Sequence, residues 1–360
     1  MPVPRPGDPA PLWIAATDHN PRFVFSSLGG RWVLLGLVGS AGAPPLAQAL
    51  EPLRRGGWPF DVEHCAAFLV SLDPTDREQG RIPQAIPGLR AVWDFDGAVS
   101  RAHEAWDGQQ YRPVWILLDP MLRIHSVMPL TETRAMLDLV RRLPPPGEHA
   151  GMEVPAPVLV LPRLFEPELC RELIARYRAQ GGEASGFMVE RNGRTVSAQD
   201  PTHKVRRDVT IEDEKLKGVI QNRILTRLVP EIQKAFQFRV TRMERYLVAC
   251  YAAEEGGHFA AHRDNTTKGT AHRRFAVTIN LNAEEFEGGD LSFPEFGPRR
   301  YRAPTGGCVV FSCSLLHQAH RVTKGERYAF LPFLYDDAAA KIREENLKFV
   351  GAEPVPQPAA

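Results

Sequence analysis

The sequence predicts two domains of different class: a small α/β sandwich on one mixed sheet, then an antiparallel jelly-roll barrel with flanking helices. Three observations predict this. The chain has 360 residues, enough for two separate cores. A composition break falls at "RRLPPPGEHAGMEVPAP", Arg141 to Pro157, where Pro144, Pro145 and Pro146 disfavour helix and strand alike. Before the break, apolar runs alternate with helix-like stretches. After it, eight short strand-like runs follow one another between Gly-, Pro- and Asn-rich turns. The expected boundaries are 1–145 for the first domain, 146–156 for a Pro-rich linker, 157–350 for the second domain and 351–360 for a Pro/Ala-rich tail.

In the first domain "RWVLLGLV", Arg31 to Val38, is a continuous apolar run, as expected of a strand buried on both faces. A helix-like stretch, Leu46 to Arg54, follows. "AAFLVSL" (Ala66 to Leu72) and "LRAVWDF" (Leu89 to Phe95) read as two more strands. "RPVWILLD" and "MLRIHSVMPL" read as a hairpin turned at Asp119-Pro120. Thr131 to Arg142 reads as a terminal helix with Thr131 as its N-cap. These pieces, with "GDPAPLW" and "VWDFDGAVSRAH", resemble in their order the peroxiredoxin branch of the thioredoxin fold, over roughly Gly7 to Leu143. That family's chemistry needs a low-pKa cysteine at a helix N-terminus after the buried strand. Here that place reads "VGSAGAPPLAQAL", without a cysteine, and Cys65 lies too far along. Arg112 matches the family's thiolate-activating arginine but has no thiolate to serve. The resemblance therefore implies a retained fold that docks or scaffolds, not a peroxidase.

The second domain opens with a helix, "FEPELCRELIARYRAQ", with Leu169, Leu173, Ile174 and Tyr177 on one face. "LKGVIQNRILTRL" reads as a second helix whose buried stripe is Leu216, Val219, Ile220, Ile224 and Leu228, kinked or ended by Pro230. From Arg242 onward the pattern becomes strands at short spacing, ending at Tyr335.

Bulk composition narrows the function. Lys plus Arg is 44 and Asp plus Glu is 43, so no charge excess points to nucleic acid or a membrane surface. The cluster Lys204-Val205-Arg206-Arg207 reads as a solvated face. Five cysteines, Cys65, Cys170, Cys250, Cys308 and Cys313, form no short zinc pattern and suit a reducing compartment. The start "MPVPRPGDPAPLW" does not read as a secretory signal, and the longest apolar run, Trp32 to Val38, is too short to span a bilayer. The expectation is a soluble, cytoplasmic protein.

The chemistry concentrates in "GGHFAAHRDNTTKGTAHRR", Gly256 to Arg274. Residues two apart on a strand share a face, so His262 and Asp264 are expected to project together. His317 closes a later apolar strand, and Arg327 begins another after the turn at Lys324-Gly325. Two histidines and one carboxylate with three open positions form the facial triad of non-haem Fe(II) oxygenases. Arg327 suits the distal carboxylate of a bound oxoacid, because its planar fork matches that group. His258 and His272 read as solvent histidines, and Asp290 beside Gly288-Gly289 as a turn residue.

From Phe165 to about Tyr335 the chain resembles the prolyl 4-hydroxylase branch of the Fe(II)/2-oxoglutarate oxygenases. "VACYAAEEGGHFAAHRDN", "INLN", "FEGGDLSFPEF", "APTGGCVVF" and "LLHQAHRVTKGERYAF" come in the family's order. The resemblance implies a double-stranded β-helix fold, with Fe(II) on His262, Asp264 and His317 and 2-oxoglutarate on Arg327. His317 is favoured over His320 by its spacing to Arg327. It further implies O2 as cosubstrate, ascorbate as a supporting reductant, and Tyr251 lining the 2-oxoglutarate site. Asn280 falls where relatives carry a carboxylate-binding tyrosine, and Thr278 shares its face. Arg206 or Arg207 with Asp208 resembles an Arg/Asp pair near the substrate entrance, and Glu190 to Lys204 corresponds to a mobile lid. The implied activity is hydroxylation of a prolyl or other amino-acid residue with release of succinate and CO2. The alternatives are a hydroxylase of a free amino acid or small metabolite, and a non-catalytic adaptor sensing iron or 2-oxoglutarate. Expected partners are a peptide, protein or amino-acid substrate, a protein docked on the first domain, and a second copy in a homodimer.

Overall fold

The computed structural model describes residues 4–58 and 60–351. All of the 351–360 tail but Gly351 lies outside the described residues. The chain divides into two compact units: Met1–Pro155 with Pro294–Pro298, and Ala156–Phe293 with Arg299–Ala360.

The first unit is built on a five-stranded mixed sheet. Its strands are β1 (Trp32–Gly39), β2 (Cys65–Ser71), β3 (Leu89–Trp93), β4 (Val114–Leu118) and β5 (Ile124–Pro129), in the order β3-β2-β1-β4-β5. β1 runs parallel to β2 and antiparallel to β4. Every residue of β1 is buried because the sheet is covered on both faces. Val33, Leu35 and Leu37 pack with Phe25 and Phe68 on one face. Leu34 and Val38 pack on the other with Leu50 of α1 (Pro44–Arg54) and Met136 and Leu137 of α2 (Thr133–Val140). Thr131 is not the N-cap of α2. Leu130–Glu132 form a 3-10 turn, and Thr133 Oγ1 donates to Leu130 O at 2.7 Å while accepting from Trp115 Nε1, so the α-helix starts at Thr133. Pro146–Glu148 form another 3-10 turn, and the His149 ring lies edge-on to Trp32. Cys65 is fully buried, and burial pushes its thiol up to about 12.

The second unit places helices against one face of an antiparallel sheet and a second antiparallel sheet opposite the other. In α3 (Pro167–Gln180) Leu169, Leu173, Ile174 and Tyr177 are buried, and proline at the first helical position costs no hydrogen bond. The second helical stretch is longer than the sequence predicts. After α4 (Glu214–Arg223) the chain widens into a π-turn over Ile224–Leu228 and continues as α5 (Val229–Phe236). Pro230 lacks the N–H an α-helix needs there, and the wider turn accommodates the gap without ending the helix. Val219 falls off the buried stripe and is exposed, whereas Leu216, Ile220, Ile224 and Leu228 are buried.

The strands that position the site are β6 (Lys204–Val205), β7 (Arg207–Thr210), β8 (Leu247–Ala252), β9 (His258–His262), β10 (Phe275–Asn280), β11 (Leu291–Ser292), β12 (Cys308–Ser312), β13 (His317–Ala319), β14 (Glu326–Phe330) and β15 (Phe333–Tyr335). The larger sheet includes β15, β10, β14, β8 and β7 in that order, with β12 paired to β10. The smaller runs β6-β9-β13-β11 and ends at Arg300–Tyr301. The run "RYAFLPFLY" is two strands, because Pro332 cannot continue the ladder. Alternation sorts the larger sheet. Val248, Cys250, Val277, Ile279, Tyr328 and Phe330 join the helices in one core. Tyr251, Thr278, Asn280 and Arg327 lie on the other face. Phe187–Arg191 and Arg194–Ala198, which overlap the Glu190 to Lys204 stretch expected as a mobile lid, pair as a hairpin. Its tip, Asn192-Gly193, has φ of 50° and 73°, the left-handed pair a two-residue hairpin turn requires.

Ile220→Ala should lower the stability of the second unit by about 2–5 kcal/mol, and Val219→Ala by less than about 0.5 kcal/mol. All six tryptophans lie in the first unit, so circular dichroism in a urea titration is the suitable readout.

Candidate metal centre

A one-residue bulge builds the centre. Phe259 of β9 pairs with Ala319 of β13, yet His262 pairs with His317, so three steps on one strand match two on the other. The two imidazoles end 4.3 Å apart between ring centroids. Asp264 lies beyond the end of β9 rather than on it, and its N–H donates to Cys313 O at 2.9 Å. Oδ1 of Asp264 is 3.5 Å from His262 Nε2, and Oδ2 is 3.4 Å from His317 Nε2. One donor atom from each residue falls within a 4.8 Å cluster.

The hydrogen bonds prepare both rings for a cation. His262 Nδ1 is 2.8 Å from Ala260 O, and His317 Nδ1 is 3.0 Å from Leu315 O. A carbonyl accepts only, so each Nδ1 carries the proton and each Nε2 keeps its lone pair. Burial, then the neighbouring His262, push His317 down to about 4, which keeps it neutral near pH 7. Burial opposes ionisation of Asp264, but its contacts with His317 and His262 and the charge of Arg273 hold its carboxyl well below the usual range. Phe259 stacks on His262 at 3.5 Å, and the Phe311 ring lies 4.6 Å from that of His317, closing the flanks with aromatic surface. The rival His320 turns elsewhere, its Nε2 sitting 2.7 Å from Ser292 Oγ.

Arg327 is 3% exposed and pairs with no carboxylate among the described residues. Its guanidinium lies 5.1 Å from the Tyr251 ring centroid, and its buried Nη1 has no hydrogen-bond partner. A buried cation left this way carries a desolvation cost that a bound anion would offset. Tyr251 is buried, and its hydroxyl accepts from Arg206 Nη1 at 3.4 Å. Thr278 and Asn280 are both buried on this face. Asn280 Nδ2 donates to Ala303 O at 2.7 Å, which leaves Oδ1, an acceptor, unpartnered.

Several polar residues have roles the sequence did not suggest. Lys204 and Arg206 are not a solvated face; both are buried. Arg206 donates to Asp208 Oδ2 at 2.5 Å, whereas Arg207 turns outward to Gly182 O and Glu255. His272 is not a solvent histidine; it is 2% exposed and 2.9 Å from Glu244. Glu244 also accepts from Arg273 Nε at 2.8 Å, and Arg273 Nη1 reaches Asp264 O at 3.4 Å. Glu244 thus holds the loop that carries the metal-side carboxylate. His258 is half-buried against Gly256 O and Thr202 O, and Asp290 pairs with Arg302.

Residues 246–335 match the family described as the 2OG-Fe(II) oxygenase superfamily. A PKHD-type hydroxylase from Pseudomonas fluorescens is 37% identical over 91 residues, 23% of this chain and 39% of the relative. The chain spans about two fifths of the length of this relative and of a second one from the same species. A solved prolyl-4-hydroxylase from Pseudomonas putida is 18% identical with a TM-score of 0.39, covering 50% of this chain and 94% of its own. A peroxiredoxin-like protein from Aquifex aeolicus is 14% identical with a TM-score of 0.33, covering 39% and 88%. The matched stretch, residues 246–335, lies within the second unit and is similar to 2OG-Fe(II) oxygenase domains, the PKHD-type hydroxylases among them. No helix among the described residues is long and apolar enough to cross a membrane.

Glu244 yields a pH prediction. Burial works against its charge, but the His272 hydrogen bond and the charges of Arg273 and His272 hold it at about 2, below its ordinary 4.5. A depressed carboxylate contributes stability above its unfolded pKa and loses it as pH falls through the folded one. The contribution, at most about 3 kcal/mol, should vanish between about pH 4.5 and about pH 2. Glu244→Gln should be less stable than wild type at pH 7, and the gap should close across that window in acid-denaturation curves.

Proposed function

We propose that the second unit is a double-stranded β-helix dioxygenase dependent on Fe(II) and 2-oxoglutarate. The reading rests above all on one observation: two Nε2 atoms and one carboxylate converge in a partly buried cluster whose Nδ1 positions are already committed to carbonyls. The donor set fits Fe(II) with three positions left open. His262, Asp264 and His317 hold the ion, which when bound supplies O2 activation coupled to oxidative decarboxylation of 2-oxoglutarate to succinate and CO2. The protein's own residues orient and enclose. Arg327 takes the far carboxylate in a two-bond fork, with Tyr251 against the guanidinium and Thr278 on the same face. Phe259, Phe311 and the hairpin residue Phe187, which lies against His203, exclude water from the reacting side. The product is a hydroxylated C–H bond, with a prolyl or other amino-acid residue as the first substrate to examine. The first unit is read as a thioredoxin-like docking module. Its Cys65 thiol, buried and pushed up to about 12, offers no thiolate for peroxide chemistry.

Anaerobically iron-loaded protein should release succinate from 2-oxoglutarate when O2 is admitted. His317→Ala should lose this release by at least about 100-fold, since the ion loses one of its three protein ligands. Retained turnover in His317→Ala would overturn the assignment. Arg327→Ala should weaken 2-oxoglutarate binding by about 10–100-fold, as expected for loss of a charge-assisted fork. Calorimetric titration checks this.

A further inference from the structure

Three cations, Lys204, Arg206 and Arg245, gather about Asp208, and a fourth, Arg273, reaches Asp264 O. Arg245 feels Arg206, Arg273, Asp208 and Asp264 together, and Lys204 feels Arg206, Asp208, Arg245 and Asp264. Three carboxylates face them, and each is committed. Glu244 accepts from Arg273, pairs with Arg343 and bonds His272. Asp208 Oδ2 accepts from Arg206 and Ser185, both at 2.5 Å. Asp264 belongs to the metal cluster. Lys204 is also satisfied, donating to Ser185 Oγ and Gly186 O.

Arg245 is the cation left over. Its nearest carboxylate oxygen is the crowded Asp208 Oδ2 at 3.6 Å, and 28% of its side-chain surface remains open. Its guanidinium lies 5.3 Å from the Phe333 ring and makes no hydrogen bond among the described residues. Its backbone sits at φ 69°, a left-handed conformation seldom adopted by residues with a Cβ, and this conformation carries the chain from Arg242–Glu244 into β8. Beside it, Arg206 Nε and Asp208 Oδ1 are buried without partners. A guanidinium on a left-handed residue, paired only at 3.6 Å and backed by a buried Arg/Asp pair with unspent polar atoms, is suited to a ligand carrying an oxyanion and a hydrogen-bonding group.

We infer that Arg245 is a specificity residue that anchors a carboxylate of the primary substrate, so that the substrate is a free amino acid or an acidic peptide. The inference rests on the oxygenase reading above and adds the substrate class to it. Arg327, on β14 against Tyr251, is reserved for 2-oxoglutarate. Arg245 serves the second anion, close enough to Asp264 for their charges to interact.

The test uses full-length protein loaded with Mn(II) and 2-oxoglutarate, so that binding is read without turnover. Titration calorimetry compares L-proline, L-glutamate and L-arginine with their α-carboxamides, and acetyl-Ala-Pro-Asp-amide with acetyl-Ala-Pro-Asn-amide. At least one carboxylate probe should bind about tenfold or more tightly than its neutral partner. Arg245→Gln should erase that preference and Arg245→Lys should keep part of it, with 2-oxoglutarate affinity unchanged in both. Whether a free amino acid or the capped peptide shows the preference identifies the source of the carboxylate. Absence of any preference in wild type, its survival in Arg245→Gln, or weakened 2-oxoglutarate binding in that variant would each overturn the inference. Should Arg245→Gln fail to fold, the wild-type comparison and Arg245→Lys decide it alone. Failure of 2-oxoglutarate to bind wild type would overturn the oxygenase reading itself.

Discussion

The second unit depends on the register that sets His262 opposite His317. Regular pairing from Phe259–Ala319 would place Ala261 opposite His317 and turn His262 to the other side of the strand. One extra residue in β9 reverses that outcome. The bulge also ends the strand at His262, so Asp264 is delivered from a turn tied to Cys313 O. A triad assembled this way needs both strands and the turn, which gives the centre no existence outside the folded unit.

Around that register the polar groups are arranged by sign. Backbone carbonyls take both Nδ1 protons, leaving both Nε2 atoms turned toward one carboxylate kept ionised. Glu244 grips Arg273, and Arg273 reaches the main chain of Asp264. Arg327 stands apart in the larger sheet with no carboxylate partner among the described residues, its buried Nη1 unbonded, and Arg245 has only the 3.6 Å contact with Asp208 Oδ2.

The sequence made the skeleton readable where local rules suffice. The apolar run of β1 signals a strand buried on both faces, and it is one. The stripe of α3 at helical spacing is buried as expected. The proposed ligands were legible because HxD, a distant histidine and a basic residue are chemically distinctive, although the alternation argument that joined His262 to Asp264 assumed a strand that stops too soon. Other features depend on partners distant in sequence. Val219 fits the helical period but faces outward, and Pro230 is absorbed by a π-turn. Lys204, Arg206 and His272 look like surface residues until Asp208, Ser185 and Glu244 arrive to satisfy them. The left-handed Arg245 has no local signal at all, since nothing in "MERYL" requires it.

The most direct test of the central claim is a crystal structure grown anaerobically with Mn(II) and 2-oxoglutarate, with the metal located by anomalous scattering. The account predicts one metal peak bound by Nε2 of His262, Nε2 of His317 and a carboxylate oxygen of Asp264, with the far carboxylate of 2-oxoglutarate forked by Arg327. A metal bound elsewhere, or 2-oxoglutarate held away from Arg327, would contradict it.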